Sequence, residues 1–132
     1  MKKLFVVVLL MTGMMTFAQN KSARATIEVD GVCGMCKERI EKASIKTKGI
    51  KSAVWNVDSH ELKLIYDERK TDLATIHKSV AAIGHDTELE KAPLKAYNAL
   101  HACCKYRDEE VQDDHKKEKT GTVLQNKLIN IR

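Results

Sequence analysis

Two cysteines three positions apart, Cys33 and Cys36, lie in the stretch VDGVCGMCKERIEKA, residues 29–43. A second pair, Cys103 and Cys104, follows His101 in the run HACC. Thiolates select soft and borderline ions such as Cu(I), Hg(II), Zn(II) and Cd(II). Two thiolates converging from one turn suit Cu(I) or Hg(II) better than structural zinc, which takes four ligands. The same spacing serves dithiol redox chemistry, and four cysteines in an oxidising compartment can also form a two-bridge framework. Metal binding, thiol–disulfide exchange and disulfide stapling are therefore the three chemistries to separate, and the elements around the cysteines must separate them.

Cys33 and Cys36 fall where a strand gives way to a helix. In SARATIEVDG, residues 22–31, Ala23, Ala25, Ile27 and Val29 share one face while Arg24, Thr26, Glu28 and Asp30 take the other. That alternation is the period of a half-buried strand. Gly31 and Gly34 flank Val32 and Cys33 in a short turn. From Cys36 onward, Ile40, Ala43 and Thr47 recur near helical spacing until Gly49 stops the run. Thiols at such a helix start meet unpaired backbone N–H groups and the positive end of the helix dipole, and both stabilise thiolate.

Further along, IKSAVWNV (50–57) and ELKLIYDE (61–68) read as two strands joined closely enough for an antiparallel hairpin. Leu73, Ile76, Val80 and Ile83 mark one face of a second helix, with Thr71 or Asp72 as cap and Gly84 as terminator. HDTELEK, residues 85–91, predicts a short last strand. The resulting order is an α+β, ferredoxin-like βαββαβ arrangement, a four-stranded antiparallel sheet with two helices on one face.

This order weighs against a thioredoxin-like enzyme. Such a fold needs a strand and a helix ahead of the cysteine-bearing strand, and a proline facing the dithiol. Only residues 19–32 would precede Cys33 once a leader ending at Ala18 is removed, and the single proline, Pro93, falls beyond the compact unit. A bridge within Cys33–Cys36 would close a tiny loop and contribute little. Bridges from that pair to Cys103 or Cys104 would staple the later segment to the domain.

The chain of 132 residues begins MKKLFVVVLLMTGMMTFAQ. Lys2 and Lys3, the apolar run 4–11, and the small residues Thr16 and Ala18 form the pattern of a signal peptide cleaved after Ala18. The run is short for a membrane span, and no later stretch replaces it, so no stable membrane insertion is expected after cleavage. Loss of Lys2 and Lys3 lowers the formal net charge of +5 by two, which gives no case for nucleic acid as a partner. The expected organisation is a signal peptide at 1–18, a domain at 22–91, a cysteine-containing extension at 92–106, and a charged, flexible tail at 107–132. Leu94, Tyr97 and Leu100 give the extension enough helical spacing for a short helix.

Residues 23–90 resemble the heavy-metal-associated domain family, the fold of copper chaperones, periplasmic mercury-binding proteins and the N-terminal modules of metal-transporting P-type ATPases. The likeness rests on the paired cysteines after the first strand, on Ile40, Glu41 and Ala43, on Gly49-Ile50, on Leu64-Ile65-Tyr66-Asp67 and on Gly84-His85. Two features depart from the family pattern. Gly31 stands two rather than three positions before Cys33, and the methionine before the first cysteine is missing, leaving Val32 as the nearest apolar residue.

The resemblance implies that Cys33 and Cys36 are the primary metal ligands. It also places the loop of His85 beside them, which makes His85 a further candidate ligand. Cys103 and Cys104 join the candidate set if the extension folds back over the first pair, with His101 at its edge. Met35 is expected to face solvent or a partner, and His60 and His77 to be solvated or flanking residues. Lys37, Arg39 and Lys42 place positive charge around the first helix. The expected function is an exported, periplasmic carrier, not an enzyme. It would bind a soft ion, Cu(I) ahead of Hg(II), Zn(II) or Cd(II), and pass it by thiolate exchange to a metal-transporting membrane protein or another metal-binding domain. A thiol–disulfide redox protein and a disulfide-stapled interaction domain remain the alternatives.

Overall fold

A computed structural model describes residues 19–117. The expected signal peptide at 1–18 and the end of the charged tail, 118–132, lie outside the described residues. The elements run β1 (Ala23–Glu28), α1 (Gly34–Lys46), β2 (Ile50–Trp55), β3 (Glu61–Tyr66), α2 (Leu73–Ala82) and α3 (Leu94–Asn98). A single 3-10 turn, Ala102–Cys104, and a helical segment at 109–117 follow. This is the ferredoxin-like order. β3 is the central strand, antiparallel to β1 on one side and to β2 on the other.

The sheet has three full strands, not four. The expected last strand is reduced to one antiparallel bridge, Val29 to Thr87, on the outer side of β1. Thr87 ends it locally: its N–H donates to the Glu90 carbonyl at 2.8 Å, and its hydroxyl accepts from the Glu90 N–H at 3.0 Å. Those bonds turn the chain away from β1 before a ladder can extend.

The strand alternation predicted for β1 buries Ala23, Ile27 and Val29, and these meet Trp55, Leu62, Leu64 and Tyr66 from the other two strands. α1 and α2 cover that face with Cys36, Ile40, Ile76 and Val80. Two helical details differ from the periodicity. In α1 the buried stripe is Cys36, Ile40 and Ser44, every fourth residue, so Ser44 takes the place expected for Ala43. Its hydroxyl tolerates burial because it donates to the Ile40 carbonyl at 2.8 Å. In α2, Asp72 is the cap, accepting from the Thr75 N–H at 2.7 Å. His77 is not solvated but buried, with Nδ1 2.8 Å from the Thr87 hydroxyl.

The extension is not an appendage. Leu100, Cys104 and Tyr106 are buried in the same core as the domain, and only Leu94 of the expected helical stripe stays outside. Gly84 makes the close approach feasible. Its φ of +102° favours glycine, and a Cβ there would sit 2.8 Å from the Ala96 carbonyl oxygen. Residues 109–117 of the tail form a helical segment that is mostly exposed.

Candidate metal centre

Cys33 is the N-cap of α1 with an extended backbone, and Cys36 lies one turn in, fully buried. The preceding turn rests on Trp55. The indole Nε1 donates to the Val29 carbonyl at 3.0 Å, and a Cβ on Gly31 would lie 3.0 Å from the ring and 3.1 Å from Cys36 Cβ. Trp55 is fixed in turn by α1: Glu41 accepts from its N–H at 2.8 Å, and Lys37 donates to its carbonyl at 2.6 Å. Lys37, expected as positive charge around the helix, also holds the floor of the cysteine loop.

The extension brings the second pair of cysteines over the first. Its clamp is built from Tyr106 and Arg107. The Tyr106 hydroxyl accepts from the Asp86 N–H at 2.9 Å and donates to the Gly84 carbonyl at 3.0 Å. The Arg107 guanidinium grips both Asp86 carboxylate oxygens, at 2.6 and 3.2 Å, and the Ala92 carbonyl at 3.1 Å. It also lies 4.3 Å from the centre of the Tyr97 ring, which meets Tyr106 edge-on. Sequence reasoning missed this clamp. Tyr, Arg and Asp are common surface residues, and no spacing links 84–86 to 106–107.

All four cysteines are unbridged, and their sulfurs converge. Cys33 Sγ is the hub, 3.5 Å from Cys36, 3.6 Å from Cys104 and 3.9 Å from Cys103, while Cys103 and Cys104 are 3.9 Å apart. Cys33, Cys103 and Cys104 form a group able to hold one metal ion. With metal–thiolate bonds of ~2.3 Å, three sulfurs around a trigonal ion stand about 4 Å apart, and two across a linear ion about 4.6 Å. The Cys33–Cys103–Cys104 triangle therefore fits a trigonal ion nearly as it stands. Linear binding by Cys33 and Cys36 alone requires them to separate by about 1 Å.

The four thiols are electrostatically unequal. Burial disfavours the Cys33 thiolate, but the Cys36 amide, the neighbouring thiols and the Met35 amide outweigh it and hold this thiol below its ordinary value. Burial pushes Cys36, Cys103 and Cys104 upward, Cys104 most strongly because Cys36 and Cys33 crowd it as well. Cys33 is thus the thiol of the four that ionises most readily.

His85 is placed beside the loop but outside the three-thiol group. Its ring stacks on Tyr106, with Nδ1 2.8 Å from the Asp30 carbonyl. A carbonyl only accepts, so Nδ1 carries the proton and Nε2 keeps a lone pair, which is buried without a hydrogen-bond partner among the described residues. Burial lowers the pKa of this imidazole and keeps it neutral. His101 caps the 3-10 turn, and His60 stacks on Trp55 and is not part of the three-thiol group. Met35 is half exposed, as expected, and touches Cys103.

The profile of the heavy-metal-associated domain matches residues 26–86. The chain carries a heavy-metal-associated domain. The copper chaperone CopZ of Staphylococcus haemolyticus (strain JCSC1435) is 27% identical over 63 residues, covering 47% of this chain and 93% of the chaperone. A copper-exporting P-type ATPase of the same organism is 30% identical over 66 residues, 49% of this chain, and the chain spans only 8% of the ATPase's length. Among solved structures, oxidized MerP from Ralstonia metallidurans CH34 overlays with a TM-score of 0.49 at 22% identity, over 51% of this chain and 94% of that one. The match ends at residue 86, so Cys103 and Cys104 are an addition to the heavy-metal-associated domain. The cysteine cluster that could hold a metal ion thus draws on residues beyond the boundary of the matched domain. Among the described residues, no helix is long and apolar enough to cross a membrane.

Proposed function

We infer that the protein carries a single Cu(I) ion on a three-thiolate site formed by Cys33, Cys103 and Cys104, with Cys36 as the exchanging fourth thiol. The observation that supports this most is the sulfur triangle, whose edges of 3.6 and 3.9 Å suit a trigonal ion without rearrangement. Copper is preferred over mercury, zinc or cadmium because the related chaperone and ATPase are named for copper and trigonal thiolate coordination suits Cu(I). His85, neutral and with its Nε2 lone pair unengaged, is a reserve ligand when the loop shifts.

Transfer proceeds by ligand exchange. A partner thiolate enters at the exposed edge and takes one coordination position. Cys36, 3.5 Å from Cys33, can hold the ion from the core side while Cys103 lets go. No step passes through a high-energy, one-coordinate ion, and the process involves no catalysis. The partner is a metal-transporting membrane protein or another metal-binding domain, and the place of action is the periplasm, reached through the leader at 1–18.

Anaerobic titration of the reduced protein with Cu(I) against a competing chelator, followed by X-ray absorption at the copper edge, tests the site. Three sulfur ligands are expected in the wild type and two in Cys103→Ser/Cys104→Ser. Failure of the reduced wild type to bind any soft ion would sink the carrier reading. Rapid dithiol exchange with a mildly reducing potential would instead favour the redox alternative.

A further inference from the structure

The outer edge of the thiol cluster gathers donors that the single-ion site does not use. Cys103 Sγ lies 3.5 Å from Met35 Sδ and 3.3 Å from His101 Nδ1. The two neighbours reach it from different elements, Met35 from the first turn of α1 and His101 from the cap of the 3-10 turn. Met35 is 50% exposed, so burial of an apolar side chain does not account for its position. The tautomer of His101 is set locally. Its Nδ1 accepts from the Cys103 N–H at 3.4 Å, so the proton resides on Nε2 and the Nδ1 lone pair points toward Cys103. A thioether sulfur and an imidazole lone pair thus each lie within 3.5 Å of one part-exposed thiol.

We propose that this rim holds a second Cu(I) ion, ligated by Met35 Sδ, His101 Nδ1 and Cys103 Sγ, with the Cys103 thiolate bridging to the ion in the sulfur triangle. The proposal rests on the single-ion carrier reading, because Cys103 serves both positions. Charge favours it. One Cu(I) on three thiolates leaves two excess negative charges in a half-buried cluster, which is costly to desolvate. A second Cu(I) that adds only neutral ligands leaves one. The donor set also selects the ion, since thioether sulfur suits soft Cu(I), while carboxylate and water, the ligands of hard cations, are not part of it. The pair would give the protein a loading capacity that changes with supply, the inner ion filling first and the rim ion lost first to a partner.

Native mass spectrometry of the full reduced chain, loaded anaerobically with Cu(I) under chelator competition, tests this. The wild type should take up two ions and Met35→Leu/His101→Gln one; retention of that ion shows that the variant is folded. With Ag(I) as a diamagnetic probe, the second equivalent should shift the Met35 ε-methyl and His101 ring resonances. A wild type that stops at one ion overturns the rim site and leaves the carrier reading intact. A wild type that binds none overturns both. Two ions in both wild type and double variant also overturn the rim site, because the second ion is then held elsewhere.

Discussion

Replacing Tyr106 by Phe should loosen the extension without disturbing the sheet, and the size of the effect follows from two hydrogen bonds. The hydroxyl is the partner of both the Asp86 N–H and the Gly84 carbonyl, and Tyr106 is 5% exposed. Phenylalanine keeps the ring that stacks on His85 and meets Tyr97, so the change isolates the hydroxyl. A buried polar group left without a partner costs about 1–3 kcal/mol. Two such groups in a loop that can readmit some water set the expected loss at ~2 kcal/mol. If that loss falls on docking of the extension, the undocked population rises roughly 30-fold, at 1.4 kcal/mol per factor of ten. Cys104 is 1% exposed when docked, so its modification by a thiol reagent should report the open form directly. The assay is the labelling rate of Cys104 in a variant lacking the other three thiols, measured with and without Tyr106→Phe. A rate that changes by less than about threefold, with an unchanged denaturation midpoint, would refute the clamp and the energetic reasoning behind it.

Other consequences can be checked in parallel. Iodoacetamide at neutral pH should modify Cys33 first and Cys104 last, and the Cys33 rate should level off at a pH below that of an ordinary thiol; peptide mapping over a pH series reads both. Burial works against ionisation of Asp86, but Arg107 outweighs it and holds its carboxyl below the usual value. Its contribution to stability is therefore fully present above the unfolded carboxylate value and is lost as pH falls through the lower folded value. Asp86→Asn should lower stability at neutral pH and flatten the acid limb of a denaturation-midpoint series. Gly84→Ala should destabilise by roughly 1–3 kcal/mol, since it adds a strained φ to a contact with the Ala96 carbonyl; thermal unfolding measures it. Cys103→Ser/Cys104→Ser should weaken Cu(I) binding at least about tenfold in chelator competition, equivalent to about 1.4 kcal/mol.

The parts of this protein legible from its sequence are those specified by neighbours in the chain. Strand alternation in β1, the helix start at the paired cysteines, and the stops at Gly49 and Gly84 are local signals, and each element formed where its signal stood. Cys33 and Cys36 could be placed for the same reason. The failures share the opposite cause. Ser44 and His77 are polar by type but buried, because a carbonyl one turn back and a hydroxyl on another segment satisfy them. The last strand was lost to a hydroxyl–backbone turn at Thr87 that competes with the ladder. Docking of Cys103 and Cys104 depends on Leu100, Tyr106 and Arg107 meeting Gly84 and Asp86, contacts between common residue types far apart in sequence. The chemistry of HACC was visible in the sequence, but its location was not.

Because Cys33 and Cys103 are 70 positions apart, an ion joining them is also a cross-link. It would close a long loop through the middle of the domain, and by the chain-entropy argument for covalent bridges such a closure can contribute about 4 kcal/mol. The loaded protein should then melt later than the empty one and resist proteolysis in its extension. Delivery becomes mechanical as well as chemical. A recipient that draws the ion away also removes the fastening between two distant parts of the chain, so cargo release and loosening of the carrier become one event.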